Sequence, residues 1–172
     1  MKSSVRITNI TIKNFKNVNY GELSFVNNRK NFKSSVLGLY GQNGSGKTAL
    51  IDALDLLKVL LCEFEIPSKF ADYINVDSNN CEIEYCFDVT FDKNVYPISY
   101  HINLERDVIL ENINTDNSIE TKEKNKVKIT SEVLKCQVKT PTGKLRMSRL
   151  IDTQSTAVFS PKSKYDLLID AN

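Results

Sequence analysis

The chain has 172 residues, 41% of them hydrophobic and 9% aromatic, with 23 Lys and Arg against 21 Asp and Glu. This is the size of one domain, or of one lobe of a larger one, with apolar residues enough for a core, which excludes disordered, collagen-like and coiled-coil chains. No apolar run approaches the ~18 residues of a membrane span, and Met1 to Lys13 alternates polar and apolar residues where a secretory signal has a continuous apolar run, so a cytoplasmic protein with no membrane partner is expected.

The net charge of +2 hides an uneven distribution. Residues 1–40 hold seven basic groups against one acidic, residues 41–120 five against fifteen, and residues 121–172 eleven against five. Two basic ends around an acidic centre read as solvated faces or intramolecular partners before they read as a nucleic-acid surface. Cys62, Cys81, Cys86 and Cys136 form no C-x-x-C pair and His101 is the single histidine, so free thiols and no zinc site are expected.

In chain order, Val5, Ile7, Ile10, Ile12 and Phe15 follow the period-2 pattern of one or two short strands. Asn27 to Lys33 reads as a polar connection. Val36 to Tyr40 is a short, nearly continuous apolar run, the pattern of a strand buried on both faces. Between Lys47 and Phe64, Leu50, Leu54, Leu57 and Leu61 recur at helical spacing around Asp52, Asp55 and Lys58. That predicts an amphipathic helix ending before Pro67, with those four leucines buried. Cys81 to Asp92 alternates strictly and predicts a half-buried antiparallel strand. Tyr96 to Leu104 and Val108 to Ile113 are expected as two strands, with Asn94 and the Arg106-Asp107 pair in turns. Asn114 to Lys126, nearly all polar, reads as a loop, and Pro141-Thr142-Gly143 as a hairpin turn between Glu132–Thr140 and Lys144–Met147.

One motif carries chemistry. Gly41-Gln42-Asn43-Gly44-Ser45-Gly46-Lys47-Thr48 matches G-x-x-x-x-G-K-[ST] and lies between the apolar run and the amphipathic helix. Without side chains at Gly41, Gly44 and Gly46 the backbone can curl so that successive N–H groups face phosphate oxygens, helped by the partial positive charge of the helix N-terminus. Lys47 would neutralise the β- and γ-phosphates and the Thr48 hydroxyl would ligate Mg²⁺. Gln42, Asn43 and Ser45 complete the expected nucleotide-binding set.

Ile10-Thr11-Ile12-Lys13-Asn14-Phe15-Lys16-Asn17-Val18, Leu23-Ser24-Phe25, and Val36 through the glycine-rich loop to Leu54 together resemble the N-terminal lobe of ABC-type ATPases. More narrowly they are similar to the RecF, structural-maintenance-of-chromosomes and overcoming-lysogenization-defect branch, and to AAA-like ATPases of bacterial anti-phage and abortive-infection systems. The resemblance covers about residues 5–64. It implies an α/β P-loop NTPase lobe with a substantial antiparallel β region over 81–149, ATP as ligand with Mg²⁺, and a homodimer of the full-length protein closing around two nucleotides. It also implies that Lys16 lies near the bound phosphates, that a glutamine, Gln137 or Gln154, reaches Mg²⁺, and that an effector such as a nuclease, or nucleic acid, is a partner in anti-phage defence or DNA maintenance.

The departures from that pattern are as informative. After Gly46 the only glycine is Gly143, so a Ser-Gly-Gly signature is missing, and no apolar run ends in Asp-Glu. Leu167-Leu168-Ile169-Asp170 begins like such a run, but Ala171 stands where the catalytic Glu belongs. No catalytic residue is assigned. Residues 1–172 read as one incomplete ATPase domain (1–64 the strand, loop and helix core; 81–149 the β region; 150–172 unassigned), a fragment hydrolysing ATP only with its missing half and a dimer partner. A small P-loop kinase is the alternative, although only Arg106, Arg146 and Arg149 follow the loop. A GTPase would need an Asn-Lys-x-Asp that is absent, and a nucleic-acid module lacks a zinc finger or an aromatic stacking surface.

Overall fold

The computed structural model describes residues 3–27, 36–62, 65–92, 94–115, 118–139 and 142–153. Its frame is a six-stranded, wholly antiparallel sheet in the order β2-β1-β3-β4-β5-β6. The strands are β1 (Ser3–Phe15), β2 (Val18–Ser24), β3 (Asn80–Phe91), β4 (Asn94–Thr115), β5 (Ser118–Lys139) and β6 (Leu145–Asp152). One helix, α1 (Lys47–Cys62), and a short 3-10 turn, Ser68–Ala71, complete the regular elements.

Alternation decides which face is buried. On β3, Cys81, Ile83 and Tyr85 point into the core, and β1 and β4 add Ile10, Ile12, Tyr100, Ile102 and Leu104 beside them. The opposite face of the same strands is polar. There Lys13 Nζ lies 2.9 Å from Glu82 Oε2, with His101 Nε2 at 3.7 Å, and the Lys13 hydrogen bond holds the Glu82 carboxyl below its usual range. On β1 the three-residue step from Ile7 to Ile10 is a β-bulge, a register shift against β3 between Ile7 and Asn9, so Val5 to Phe15 is one strand and not two.

The helix covers the core with Ala49, Leu50, Ala53, Leu56, Leu57 and Val59. The two alanines matter because they carry little bulk: the buried Tyr85 hydroxyl reaches the helix backbone and donates to the Ala53 carbonyl at 2.6 Å. The expectation for the four leucines needs correcting. Leu50 and Leu57 are buried, Leu54 is partly so, and Leu61 is 67% exposed. The contact face runs through the alanines and Leu56, which rotates it away from Leu61.

Other corrections concern turns. Arg106 and Asp107 lie inside β4, which is unbroken from Asn94 to Thr115. The Arg106 guanidinium donates to the carbonyls of Ala71 (3.3 Å) and Ile74 (3.0 Å), so its charge anchors the 3-10 segment where a turn was expected. Asn94 opens β4, paired with Phe91, and the positive φ of 48° falls on Asp92. In the polar stretch 114–126 the described residues, 114–115 and 118–126, are strand and not loop: Asn114 pairs with Ile119, and Lys126 with Asp107, in a long β4–β5 ladder. Polar composition does not exclude a strand there, since backbone pairing alone fixes a hairpin's ladder. Thr142 and Gly143, with φ +79° at the glycine, stand between paired Lys139 and Leu145; Pro141 lies outside the described residues.

The largest correction is Val36 to Tyr40. These residues form no strand, and Val36 and Tyr40 are 84% and 96% exposed. A continuous apolar run is buried only when strands flank it on both sides, and among the described residues none pairs with it. The described lobe is therefore sheet-rich and antiparallel, with a single helix on one face. The polar connection expected at 27–33 lies, beyond Asn27, outside the described residues.

Candidate functional site

The site forms where the β1–β2 hairpin meets the start of α1. Phe15, fully buried, pairs with Val18 across the two-residue turn Lys16-Asn17, and both Asn14 (φ 53°) and Lys16 (φ 54°) take left-handed backbone conformations. Such angles are unfavourable for a lysine and persist where surrounding contacts over-determine them. Here the contacts are plain. The Lys16 ammonium pairs with the Asp52 carboxylate on α1 and stands 4.2 Å from the centre of the Tyr73 ring, while the Lys16 N–H donates to the Tyr73 carbonyl. Asn75 donates from its backbone to Asn14 and from its side chain to Asn19, at 2.9 and 3.0 Å.

The turn presents Asn17 to the glycine-rich loop, where its carboxamide donates to the Gly44 carbonyl. Gly44 and Gly46 both sit at φ +85°, a conformation that disfavours any side chain. At Gly46 a Cβ would also lie 2.9 Å from Val18 Cγ2, so the hairpin closes directly on the loop. Ser45 N donates to the Gln42 carbonyl at 3.2 Å, and the helix begins with Leu50 N donating to Gly46 O at 3.1 Å.

Lys47 folds back over its own loop. Its ammonium donates to the carbonyls of Gly41 (2.8 Å) and Gln42 (2.7 Å) and lies 3.2 Å from Ser45 Oγ. Thr48 is exposed and, with Asn17, Asn43, Gly44, Gly46 and Lys47, lines a depression of about 300 Å³. A larger cleft of about 550 Å³ adjoins it, walled by β1 and β2 residues that include Ile10, Val18, Tyr20 and Glu22, and by Tyr40 and Lys47 of the loop side. Volumes of this order hold small molecules. The cleft combines apolar walls with the Lys47 side chain and the glycine-rich loop at one end, so it can take a ligand with a flat apolar part and an anionic tail.

The loop residues from Gly41 to Thr48 thus sit together, and Lys16 adjoins them through Asn17, its ammonium engaged by Asp52 and Tyr73. Gln137 lies on β5 opposite Met147 and lines neither cleft. Gln154 and Asp170 lie outside the described residues. Sequence reasoning did not single out Asn17, Val18 or Tyr20 as site residues. The available signal was the two-residue gap between the β1 pattern and Val18, which makes a tight turn, but nothing in a linear pattern says that this turn lands on a loop some 25 residues later.

Among the described residues no helix is long and apolar enough to cross a membrane, and no group of His, Cys, Asp or Glu could hold a metal ion. The chain matches no curated protein and no solved structure. A family model does match over residues 36–172, from the exposed apolar run through the loop, the helix and strands β3 to β6, and the chain belongs to that P-loop ATPase family, described as AAA domain, putative AbiEii toxin, Type IV TA system.

Proposed function

We propose that this chain is the Mg-ATP-binding lobe of an ATPase. The observation that carries the reading is the convergence of the Lys47 ammonium, the glycine-rich loop and the N-terminus of α1 at one end of the 550 Å³ cleft. The loop Gly41–Thr48 would hold the phosphates, with Lys47 as the cation on the β/γ oxygens. The residues fit the metal too, because the exposed Thr48 hydroxyl at the first turn can serve as a ligand; bound Mg²⁺ would neutralise phosphate charge. Tyr20, Tyr40 and Val18 offer apolar surface for the base. Lys16 stays in the nucleotide-binding set as a cation beside the loop, its ammonium held by Asp52 and its turn joined to Gly44 through Asn17.

Calorimetric titration tests this. Wild type should bind Mg-ATP, Lys47→Ala should not, and GTP should compete no better than ATP; equal ATP affinity in wild type and mutant overturns the reading. Hydrolysis by this chain alone should be negligible. A water attacking the γ-phosphate needs a carboxylate to orient it, and the carboxylate in the cleft among the described residues is Glu22, already engaged by Asn9 (3.1 Å) and Tyr20 (3.3 Å). Steady-state phosphate release near ~1 s⁻¹, lost in both Lys47→Ala and Glu22→Gln, would show that Glu22 completes a catalytic set. Full activity, in this reading, belongs to a dimer closing around two nucleotides, coupled to an effector such as a nuclease. The family's toxin–antitoxin description favours anti-phage defence over DNA maintenance as its setting.

A further inference from the structure

We propose that Asn17 and Asp52 are positioning residues for the phosphate loop: Asp52, with Tyr73, clamps Lys16, and the clamped turn holds the Asn17 carboxamide on the Gly44 carbonyl. The inference rests on the nucleotide reading of the same loop and adds to it the device that sets the loop's shape.

Three observations carry it. The turn is anchored on two sides by different elements, to α1 through Lys16–Asp52 and to the segment 73–75 through Lys16 N–Tyr73 O, Asn75 N–Asn14 O and Asn75 Nδ2–Asn19 Oδ1. Only a turn held this way presents Asn17 at a fixed height, since the left-handed Lys16 would otherwise relax. Second, Asp52 lies on α1 one turn beyond Thr48, so the helix that begins in the loop also carries the residue that grips the hairpin. The loop is therefore bridged from its middle, at Gly44, to its own helix. Third, a peptide's C=O and the following N–H point in opposite directions. A donor fixed on the Gly44 carbonyl thereby holds the Gly44–Ser45 peptide, whose N–H closes the loop on the Gln42 carbonyl at 3.2 Å. The Lys16–Asp52 pair is partly buried, its side chains 27% and 19% exposed, so it is screened less than a surface pair.

Two independent readouts test it. In the chain without nucleotide, amide hydrogen exchange over Gly44–Thr48 should rise in Asn17→Ala, Asn17→Asp and Asp52→Asn, because each removes the donor or releases the turn that carries it. Lys16→Gly, which suits the left-handed backbone but abolishes the clamp, should raise it as well. In Mg-ATP titrations Asn17→Ala and Asp52→Asn should each weaken binding about three- to tenfold, the range of one well-placed hydrogen bond. The double variant should be no weaker than the worse single, since both act through one contact. Asp52→Glu should recover most of the loss.

Unchanged exchange in the Asn17 variants overturns the proposal, as does an additive double variant. A lowered thermal midpoint in Asp52→Asn with wild-type loop exchange shows a merely structural ion pair and overturns it too. If wild type fails to bind ATP, the nucleotide reading falls and the exchange arm alone decides whether the hairpin positions the loop.

Discussion

Two segments of this chain look like strands in sequence and meet opposite fates. Cys81 to Phe91 becomes β3, paired on both sides by β1 and β4, with Ile83 and Tyr85 fully buried. Val36 to Tyr40, at least as apolar residue for residue, stays irregular and exposed. The difference is where the partners lie. An alternating strand has one face to cover and finds a neighbour through a short hairpin, as β3 does with β4 across residues 92–93. A doubly apolar run needs strands on both edges and layers on both faces, and the described residues supply none of them. Hydrophobicity states a demand for burial; topology decides whether it is met.

Substitutions in the two segments test that contrast. The largest effect should come from the β3 core: Ile83→Ala, and Leu56→Ala on the helix that covers it, should each cost about 2–5 kcal/mol in urea unfolding, because both sites are fully enclosed. Tyr85→Phe should cost about 1–3 kcal/mol, leaving the Ala53 carbonyl acceptor without its buried donor while keeping the ring. By contrast, Leu37→Ser and Tyr40→Ser should change stability by no more than about 0.5 kcal/mol, as surface substitutions do. A loss of 2 kcal/mol at Leu37 would show that the run is buried in solution and dissolve the comparison.

Two chemical probes follow the same division between covered and open surface. Cys81 sits in the β3 core, where burial pushes its thiol up to about 12, so iodoacetamide at pH 8 should label exposed Cys62 first and leave Cys81 unmodified until the chain unfolds. On the outer face Lys13 lowers the Glu82 carboxyl below its ordinary 4.5. A depressed folded value means the contribution is present above about pH 4.5 and is lost as pH falls through the lowered value. Glu82→Gln should therefore lower stability slightly above about pH 4.5 and leave it nearly unchanged at more acid pH, so that the acid limb flattens; this is the smallest of these effects because the pair is exposed.

The legible features share a trait: they are written within a few residues. The loop Gly41–Thr48, the start of α1 and the alternation of β3 each depend on local spacing, and even the β1 bulge is visible as the three-residue step between Ile7 and Ile10. The misread turns at Arg106 and in 114–126 failed for the converse reason. A charged pair in a strand looks like a turn until its long-range acceptor, here the 3-10 segment around Ala71, is known. The helix face was half legible, since Ala49 and Ala53 direct the packing but count for little in a pattern built on leucines.

The glycine-rich loop, the helix that follows it and the antiparallel character of the central strands follow from the sequence alone, because glycine geometry, helical period and strand alternation act through neighbours along the chain. Only the tertiary structure decided that the β1–β2 turn sits on Gly44 and Gly46, that Asp52 grips Lys16, and that Val36 to Tyr40 lies open. Each of those outcomes depends on groups brought together from separate elements, whose meeting is fixed by how the hairpin, the helix and the sheet pack and not by any spacing along the chain.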